Sequence, residues 1–172
     1  MKIDLGCGET KPYGYIGVDK IKTRHTDVVA DLDEKLPFDD GVATEIRAWN
    51  VLEHINDLDF TMREIWRITK QDGKVVISVP HFSGHLAFYE YHKRFFNVES
   101  FIDWTKTTRI ANSHPGEFKM ESVKIKFMYF DWFFGRIFNC CRKAQLIYDL
   151  TFLHNLFPAV EMHFVLRKAI RL

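Results

Sequence analysis

The chain has 172 residues, of which 47% are hydrophobic and 27% are charged, and its formal net charge is +1 at pH 7. This length and balance predict one soluble globular domain, and the near-neutral charge gives no electrostatic case for nucleic acid. The three cysteines, Cys7, Cys140 and Cys141, do not suit a disulfide framework and favour a reducing, cytoplasmic location. The sequence shows no metal-ligand spacing and no signal-peptide pattern.

Short apolar runs in the first half predict strands that alternate with turns and a helix. The expected strands are Met1–Leu5, Tyr15–Asp19, Thr26–Ala30, Glu45–Trp49 and Lys74–Val79. Apolar residues from Leu58 to Trp66 recur at helical spacing, so an amphipathic helix is expected there. Asn56 or Asp57 would cap its start and Gly73 would close its end. The near-continuous apolar fifth strand indicates a parallel sheet covered on both faces.

The second half has a different character. Asn97 is expected to cap a short helix that runs to Trp104. Alternating apolar residues predict strands at 123–129 and 160–166, and the largely aromatic segment 131–157 between them is expected to be helical. No linker or repeat divides the chain, so residues 1–172 are expected to form a single domain of the α/β class.

The stretch IDLGCGE places Gly6 and Gly8 directly after the first strand. A glycine turn at a strand end lets a ligand approach the backbone closely. A dinucleotide fingerprint would need a third glycine and an acidic residue about 20 residues on. Here Asp19 follows Gly8 by only eleven residues. The first crossover helix is therefore expected to be reduced, and a pyrophosphate cradle is disfavoured.

Acidic residues follow each of the first three strands: Asp4 and Glu9 at the first, Asp19 at the second and Asp31 at the third. A carboxylate can accept two hydroxyl hydrogen bonds, which suits a ribose diol. Acids beside the glycine turn suit a cationic group rather than a phosphate. The edge therefore fits a ligand that carries an adenosine and a positively charged amino-acid end.

Five sequence blocks in order resemble the class I S-adenosylmethionine-dependent methyltransferases. The blocks are DLGCGE (4–9), GVD (17–19), AD with LPF (30–31 and 36–38), NVLEH (50–54) and GKVVISVP (73–80). The chain looks most like small type 11 methyltransferases of glycan or lipid biosynthesis, which share LGCGE…GYIGVD and a later VPHFS with a basic His-Lys-Arg-Phe-Phe run. It starts at the strand where that family usually has a preceding helix, so a covering element is expected elsewhere.

The resemblance implies a Rossmann-like, mostly parallel sheet with an antiparallel last strand and S-adenosylmethionine as cofactor. Residues 1–80 would bind the cofactor and residues 81–172 would form the substrate side. Gly6, Cys7 and Gly8 would lie against the methionine part, Asp19 would hold the ribose hydroxyls, and Asp31 and Leu32 would flank the adenine. The full set expected at the cofactor is Asp4, Gly6, Cys7, Gly8, Glu9, Asp19, Lys20, Asp31, Leu32, Asn50, Val51 and His54.

Histidines follow the fifth strand on the side where the methyl group would be offered. His81, His85 and His92 can each take a proton from a hydroxyl or amine acceptor, so they are the expected catalytic residues. The alternative is a polar loop with incidental histidines. The neighbouring Lys93 and Arg94 could meet a phosphate or a sugar acid, or form an ordinary basic turn.

The leading hypothesis is methyl transfer from S-adenosylmethionine to a small-molecule, glycan-linked or lipid-linked acceptor. The alternative is a non-catalytic cofactor-binding or interaction module of the same fold, and a nicotinamide oxidoreductase is a weaker third. The aromatic segment 131–157 is interrupted by Asp131, Arg136, Arg142 and Lys143, which argues against a membrane span. It is expected to pack on the sheet and to offer a homodimer contact, a substrate lid or a membrane-surface helix.

Overall fold

The computed structural model describes residues 1–105, 118–128 and 130–169, and seven strands in these residues form one sheet. The strands are β1 (Lys2–Leu5), β2 (Ile16–Asp19), β3 (Val28–Val29), β4 (Ala43–Trp49), β5 (Thr69–Pro80), β6 (Phe118–Phe127) and β7 (Ala159–Lys168). Their order across the sheet is β3-β2-β1-β4-β5-β7-β6. The pairs from β3 to β5 are parallel, and β7 runs antiparallel to both of its neighbours. The predicted fold class is confirmed.

The buried apolar side chains of the central strands are two residues apart along each strand, so they lie on one face of the sheet. Ile3 and Leu5 of β1 are fully buried, as are Ile46 and Ala48 of β4. On β5 the fully buried residues are Val75, Ile77 and Val79. On the opposite face Glu45, Arg47 and Val76 are only half-buried, so the predicted cover on both faces of the sheet is complete on one face alone among the described residues. Only short turns join β1 to β2 and β2 to β3, which confirms the reduced first crossover.

Helix α1 (Leu58–Ile68) is the crossover between β4 and β5. The side chain of Asp57 accepts a hydrogen bond from the amide of Phe60 at 3.0 Å and caps the first turn, as one of the two predicted caps. The expectation that Gly73 ends the helix was wrong. The helix ends at Ile68, β5 begins directly at Thr69, and Gly73 lies inside that strand. A Cβ at Gly73 would lie 2.7 Å from the Lys70 carbonyl oxygen, so its role is a close backbone approach.

The segment after β5 contains little regular structure. Short 3-10 turns occupy His85–Phe88 and Ile102–Trp104. The predicted helix from Asn97 to Trp104 is therefore reduced to turns, in which the Asn97 side chain accepts from the Glu99 amide at 2.9 Å. The strand predicted at 123–129 corresponds to β6, and its Tyr129 lies outside the described residues.

Between β6 and β7 lie three helices: α2 (Asp131–Phe138), α3 (Arg142–Leu150) and α4 (Leu153–Leu156). The aromatic segment is thus helical, as predicted. Its inner face packs on the edge strand β6, where the ring of Phe127 lies 5.3 to 5.8 Å from the rings of Phe134, Phe138 and Tyr148. Every helix among the described residues is too short or too polar to cross a lipid bilayer.

Candidate cofactor and acceptor site

A cavity of about 610 Å³ lies beyond the carboxyl ends of the parallel strands. This is the edge at which open α/β sheets bind ligands, and the volume is typical of a small-molecule site. The turns after β1, β2, β3 and β4 contribute its walls, together with residues from the segment after β5. The lining residues are Gly6, Asp19, Lys20, Ala30, Asp31, Leu32, Asp33, Asn50, Val51, His54, Ile55, Asn56, Glu90, Tyr91 and Lys93.

The glycine turn after β1 forms one wall of this cavity. Gly6 and Gly8 have φ angles of +67° and +52°, a left-handed conformation that favours glycine. A Cβ at Gly6 would lie only 2.3 Å from Cγ2 of Val51, so glycine lets the β1 and β4 turns touch. A Cβ at Gly8 would meet nothing within 4 Å. Gly6 lines the cavity, whereas Gly8 serves the turn.

Asp19, at the end of β2, holds its carboxylate against two backbone amides. The Gly8 amide donates to Oδ2 at 2.9 Å and the Ile21 amide donates to Oδ1 at 2.9 Å. Each carboxylate oxygen can accept more than one hydrogen bond. The carboxylate is therefore fixed in orientation while each oxygen retains acceptor capacity toward the cavity that it lines.

Asp31 and Asp33 form an acidic wall after β3. The Asp33 carboxylate accepts from the amides of Asn56 and Asp57 at 2.8 and 2.9 Å. Burial works to raise the pKa of Asp33, but these hydrogen bonds outweigh it and lower the pKa below its usual value. Asp33 thus ties this wall to the turn that precedes α1. Asp31 accepts from the Asp33 amide at 3.0 Å through Oδ1 alone.

Asn50 and Val51 form the floor beside Gly6. Asn50 has φ +49°, a left-handed conformation that asparagine tolerates better than most residues. Below it, Ser78 donates to Oε1 of Glu161 at 2.7 Å, and His163 Nε2 lies 2.8 Å from Oε2 of the same carboxylate. Burial works to raise the pKa of Glu161, but the hydrogen bonds of His163 and Ser78 outweigh it and lower the pKa to about 2. An ionised carboxylate therefore lies under the floor.

Four of the predicted cofactor residues do not line the cavity. Asp4 is fully buried, and both its oxygens accept from Arg47 Nη1, at 2.8 and 3.0 Å, on the neighbouring strand. Cys7 is buried with its Sγ 3.6 Å from the His25 carbonyl oxygen. Gly8 and Glu9 lie in the turn outside the lining. The other eight residues of the predicted set all line it.

Glu53 and His54 occupy a 3-10 turn, Leu52–His54, directly after the floor. Glu53 is 1% exposed, and burial raises its pKa to about 7. His54 lines the cavity, and its Nδ1 lies 3.3 Å from the Tyr91 carbonyl oxygen. Burial lowers the pKa of His54. Its ring packs edge-on against His92 with the ring centroids 4.7 Å apart.

The three histidines expected to carry catalysis occupy different environments. His81 is fully buried, with Nε2 2.9 Å from Oδ1 of Asp149 and Nδ1 2.8 Å from Oγ of Ser83. Both ring nitrogens are engaged and His81 does not line the cavity, so its geometry suits anchoring rather than proton transfer. His85 is exposed and also lies outside the lining. His92 alone adjoins the cavity, through His54.

A second cavity of about 400 Å³ lies along the segment after β5. Its lining is mostly aromatic and consists of Phe82, Phe88, Phe95, Phe96, Asn97 and Ser100. The same segment gives Glu90, Tyr91 and Lys93 to the first cavity. One segment therefore borders both a polar cavity and an aromatic one.

Several lining residues were not predicted from the sequence. Asp33 stands among several acids that follow Asp31 in the sequence, a run that is typical of a solvated surface and does not single out one residue. Tyr91 and Lys93 flank the predicted His92 but come from a segment without helical or strand periodicity. Glu53 does not line the cavity but lies next to the lining residue His54, and its burial could not be predicted from the NVLEH block alone.

The family model described as "Methyltransferase domain" matches residues 15–77 of the chain. A comparison with curated protein sequences finds no significant match. The matched region runs from β2 into β5 and includes the turns after β2, β3 and β4, which line the first cavity.

Solved structures share the fold across nearly the whole chain. The YcgJ protein of Bacillus subtilis is 16% identical, with a TM-score of 0.60, and the match covers 99% of this chain and 92% of that one. BH2331 of Bacillus halodurans is 13% identical, with a TM-score of 0.63 and coverages of 98% and 92%. A SAM-dependent methyltransferase of Archaeoglobus fulgidus is 15% identical, with a TM-score of 0.60 and coverages of 97% and 85%.

Proposed function

We propose that this chain, a class I methyltransferase that uses S-adenosylmethionine, holds its cofactor in the 610 Å³ cavity and methylates an acceptor bound beside segment 81–100. Residues 1–172 act as one domain in this proposal, with the cofactor on residues 1–80. The main support for this proposal is the geometry of Asp19, whose two carboxylate oxygens are held by backbone amides at the wall of the cavity.

The residues present fit this cofactor. The turn at Gly6 has no side chain to fill the cavity, and Asp19 keeps acceptor capacity for the two ribose hydroxyls. Asp31 has one oxygen free of the Asp33 amide and can accept from the adenine amino group. The acidic wall of Asp31 and Asp33 also favours a ligand with positive charge over an anion.

The cofactor, when bound, supplies an electrophilic methyl group, and the protein's part is to position the acceptor and exclude water. Asn50 and Val51 set the floor, and the network of Ser78 and Glu161 below holds that floor in place. We call the turn after β4 together with the lining residues of the segment after β5 the acceptor-side wall. His54 lies on this wall, with His92 packed against it. Either ring can hold a proton from a hydroxyl or amine acceptor.

The test of the cofactor site is calorimetric titration of S-adenosylmethionine into the wild type and Asp19→Ala. Loss of hydrogen bonds to a charged group should weaken binding about 10- to 150-fold, equivalent to about 1.5–3 kcal/mol. Asp39→Ala is the matched control, because Asp39 is an exposed acid outside the cavity lining. Wild-type affinity in a folded Asp19→Ala variant would remove Asp19 from the site.

The acceptor is proposed to be a small molecule or a glycan-linked or lipid-linked compound with an apolar part. The aromatic second cavity supports this, because the segment that lines it also reaches the first cavity. The protein is incubated with a cell extract and methyl-labelled S-adenosylmethionine, and the mixture is then partitioned between butanol and water. Label should appear in the butanol phase, which collects acceptors with an apolar part. The double variant Phe88→Ala with Phe95→Ala should transfer less label to that phase. Cofactor binding without transfer to any fraction would favour the non-catalytic module.

The outer face of the helical insert is proposed to contact an anionic lipid surface in the cytoplasm. Trp132 and Phe152 are 71% and 67% exposed, and Arg136 and Lys143 are exposed on the same insert. The two acids of the insert are engaged internally, Asp131 with the Phe127 amide and Asp149 with His81 and the Val98 amide. The insert therefore exposes both apolar and cationic groups, the combination that binds anionic bilayers.

Sedimentation with vesicles tests this contact. The wild type should bind phosphatidylglycerol vesicles and release them at high salt, while Trp132→Ser with Phe152→Ser should bind several-fold more weakly. Tyr13→Ser is the matched control, because Tyr13 is fully exposed on the turn between β1 and β2. A protein that ignores these vesicles but forms a dimer in light scattering would assign the face to a second copy instead.

A further inference from the structure

We propose that Glu53, His54 and His92 bind a divalent cation at the acceptor-side wall of the first cavity. Each of the three residues offers one ligand atom, and these atoms lie within 4.8 Å of one another. Two of the residues are sequence neighbours after β4, and the third comes 38 positions later, from the segment after β5. The site is therefore created by the fold and has no spacing signature in the sequence.

The Glu53 carboxylate is the strongest indication that a ligand is needed there. The residue is 1% exposed, and its Oε2 has no hydrogen-bond partner among the described residues. A buried carboxylate oxygen without a partner is costly, and such groups are normally paired or bound to a metal. In the same cluster, Nδ1 of His92 is also buried and has no hydrogen-bond partner within residues 1–105, 118–128 and 130–169. Two unsatisfied polar groups thus occur in one small volume.

The backbone around these side chains is already fixed. The Lys93 amide donates to the Glu53 carbonyl oxygen at 2.8 Å, and the His92 amide donates to the Tyr89 carbonyl oxygen at 2.9 Å. Nδ1 of His54 lies 3.3 Å from the Tyr91 carbonyl oxygen. Donation to that carbonyl places the proton on Nδ1 and leaves Nε2 with a free lone pair. Histidine ligands of metals commonly make this second contact, which orients the ring.

The donor set selects the kind of cation. One carboxylate and two imidazoles suit a borderline cation such as Zn²⁺ or Mn²⁺, whereas Mg²⁺ and Ca²⁺ prefer oxygen ligands. Metal–ligand bonds of about 2.0–2.2 Å would draw the three donor atoms to separations of about 3.4 Å. Binding therefore requires side-chain rotations that bring the donor atoms closer together by up to about 1.4 Å.

Three protein ligands leave at least one coordination position open. Because His54 lines the first cavity, that position lies where an acceptor would bind, provided that the proposed function holds. A cation there would bind the oxygen of a hydroxyl acceptor and make the hydroxyl more acidic. With the cation bound, His54 and His92 are metal ligands and no longer proton acceptors, so the proton passes to water. The oxygen forms a bond to the methyl carbon, and the bond from that carbon to sulfur breaks. The inference thus narrows the acceptor to a hydroxyl compound.

The test uses the metal alone. The metal-free protein is dialysed against Zn²⁺ or Mn²⁺ without cofactor, and bound metal is counted by elemental analysis. The wild type should bind one equivalent, and Glu53→Gln and His92→Asn should each bind at least tenfold more weakly. The matched control is His85→Asn, which removes an exposed histidine outside the cluster and should bind as the wild type does.

Circular dichroism and the unfolding midpoint without metal establish that each variant is folded, and Zn²⁺ should raise the midpoint of the wild type more than that of Glu53→Gln. Absence of stoichiometric binding, or equal binding by wild type, Glu53→Gln and His92→Asn, would overturn the cation site. A protein that binds the metal as expected but not S-adenosylmethionine would keep this site and overturn the proposed function.

Discussion

The two walls of the candidate site satisfy their polar groups in different ways. On the cofactor side, Asp19 and Asp33 accept hydrogen bonds from backbone amides within the protein. On the acceptor side, Glu53 and His92 each have a buried polar atom that finds no hydrogen-bond partner in the described part of the chain. The carboxylates of the first wall therefore have hydrogen-bond partners without a ligand, and a ligand would add further hydrogen bonds to them. The second wall is incomplete, which indicates that part of it is supplied from outside the chain.

The largest expected effect comes from the glycine turn of the first wall. Gly6→Ala should lower the free energy of unfolding by about 2–4 kcal/mol, because its Cβ would overlap the Val51 side chain at a left-handed φ. Gly8→Ala carries only the cost of that φ, about 1–2 kcal/mol, because its Cβ meets open space. Urea denaturation of both variants measures the difference.

The overlap can be relieved in the same background. Val51→Ala, added to Gly6→Ala, should recover part of the lost stability, since it removes both Cγ atoms that the new Cβ would meet. An equal loss of unfolding free energy in Gly6→Ala and Gly8→Ala would show that the left-handed φ accounts for the whole loss at both glycines. The contact between the β1 and β4 turns would then contribute nothing to it.

A smaller effect is expected where the acceptor side is anchored to the insert. His81→Asn should cost about 1–3 kcal/mol, because Asp149 would lose a buried hydrogen-bond partner. His85→Asn is the matched change at an exposed site and should stay within about 0.5 kcal/mol of wild type. Both variants should bind S-adenosylmethionine normally, as calorimetry can determine. A His81→Asn variant that is fully stable but cannot transfer methyl groups would restore His81 as a catalytic residue.

The smallest effect on the free energy of unfolding is expected at Glu161, the ionised carboxylate under the floor of the first cavity. The pKa of Glu161 is about 2 in the folded protein, below its usual 4.5, so its ionised form stabilises the fold above pH 4.5. That contribution is lost as the pH falls from 4.5 towards 2. Glu161→Gln should therefore cost about 1–2 kcal/mol at pH 7, and the difference from wild type should shrink by more than half at pH 3. A difference that is independent of pH would mean that packing, not charge, is lost.

Local patterns were sufficient to predict most of the fold and many of the residues that line the first cavity. The end of β2 places Asp19 at the sheet edge, and this follows directly from an apolar run that stops at an acid. The end of α1 was predicted too late, because a glycine such as Gly73 often ends a helix. In the structure the helix ends at Ile68, and Thr69 is already the first residue of β5. Sequence alone also could not show that the Asp4 carboxylate accepts its hydrogen bonds from Arg47 on the adjacent strand.

The acceptor wall was beyond local prediction because its parts meet through long-range packing. The sequence predicts His81 as a proton acceptor, but its Nε2 is hydrogen-bonded to Asp149, which lies 68 positions away in the chain. Glu53 was part of the NVLEH block, but its missing partner is a property of the folded environment. Such residues are recognised by burial and unsatisfied hydrogen bonds rather than by spacing.

The most direct test of the account is hydrogen exchange of the backbone amides with and without S-adenosylhomocysteine. The account predicts slower exchange at residues 6–8, 19–21, 31–33 and 50–56, which surround the first cavity, and no change across 131–157 in the insert. Protection confined to the aromatic segment 82–100 or to the insert, with none at 19–21, would contradict the assignment of the first cavity to the cofactor.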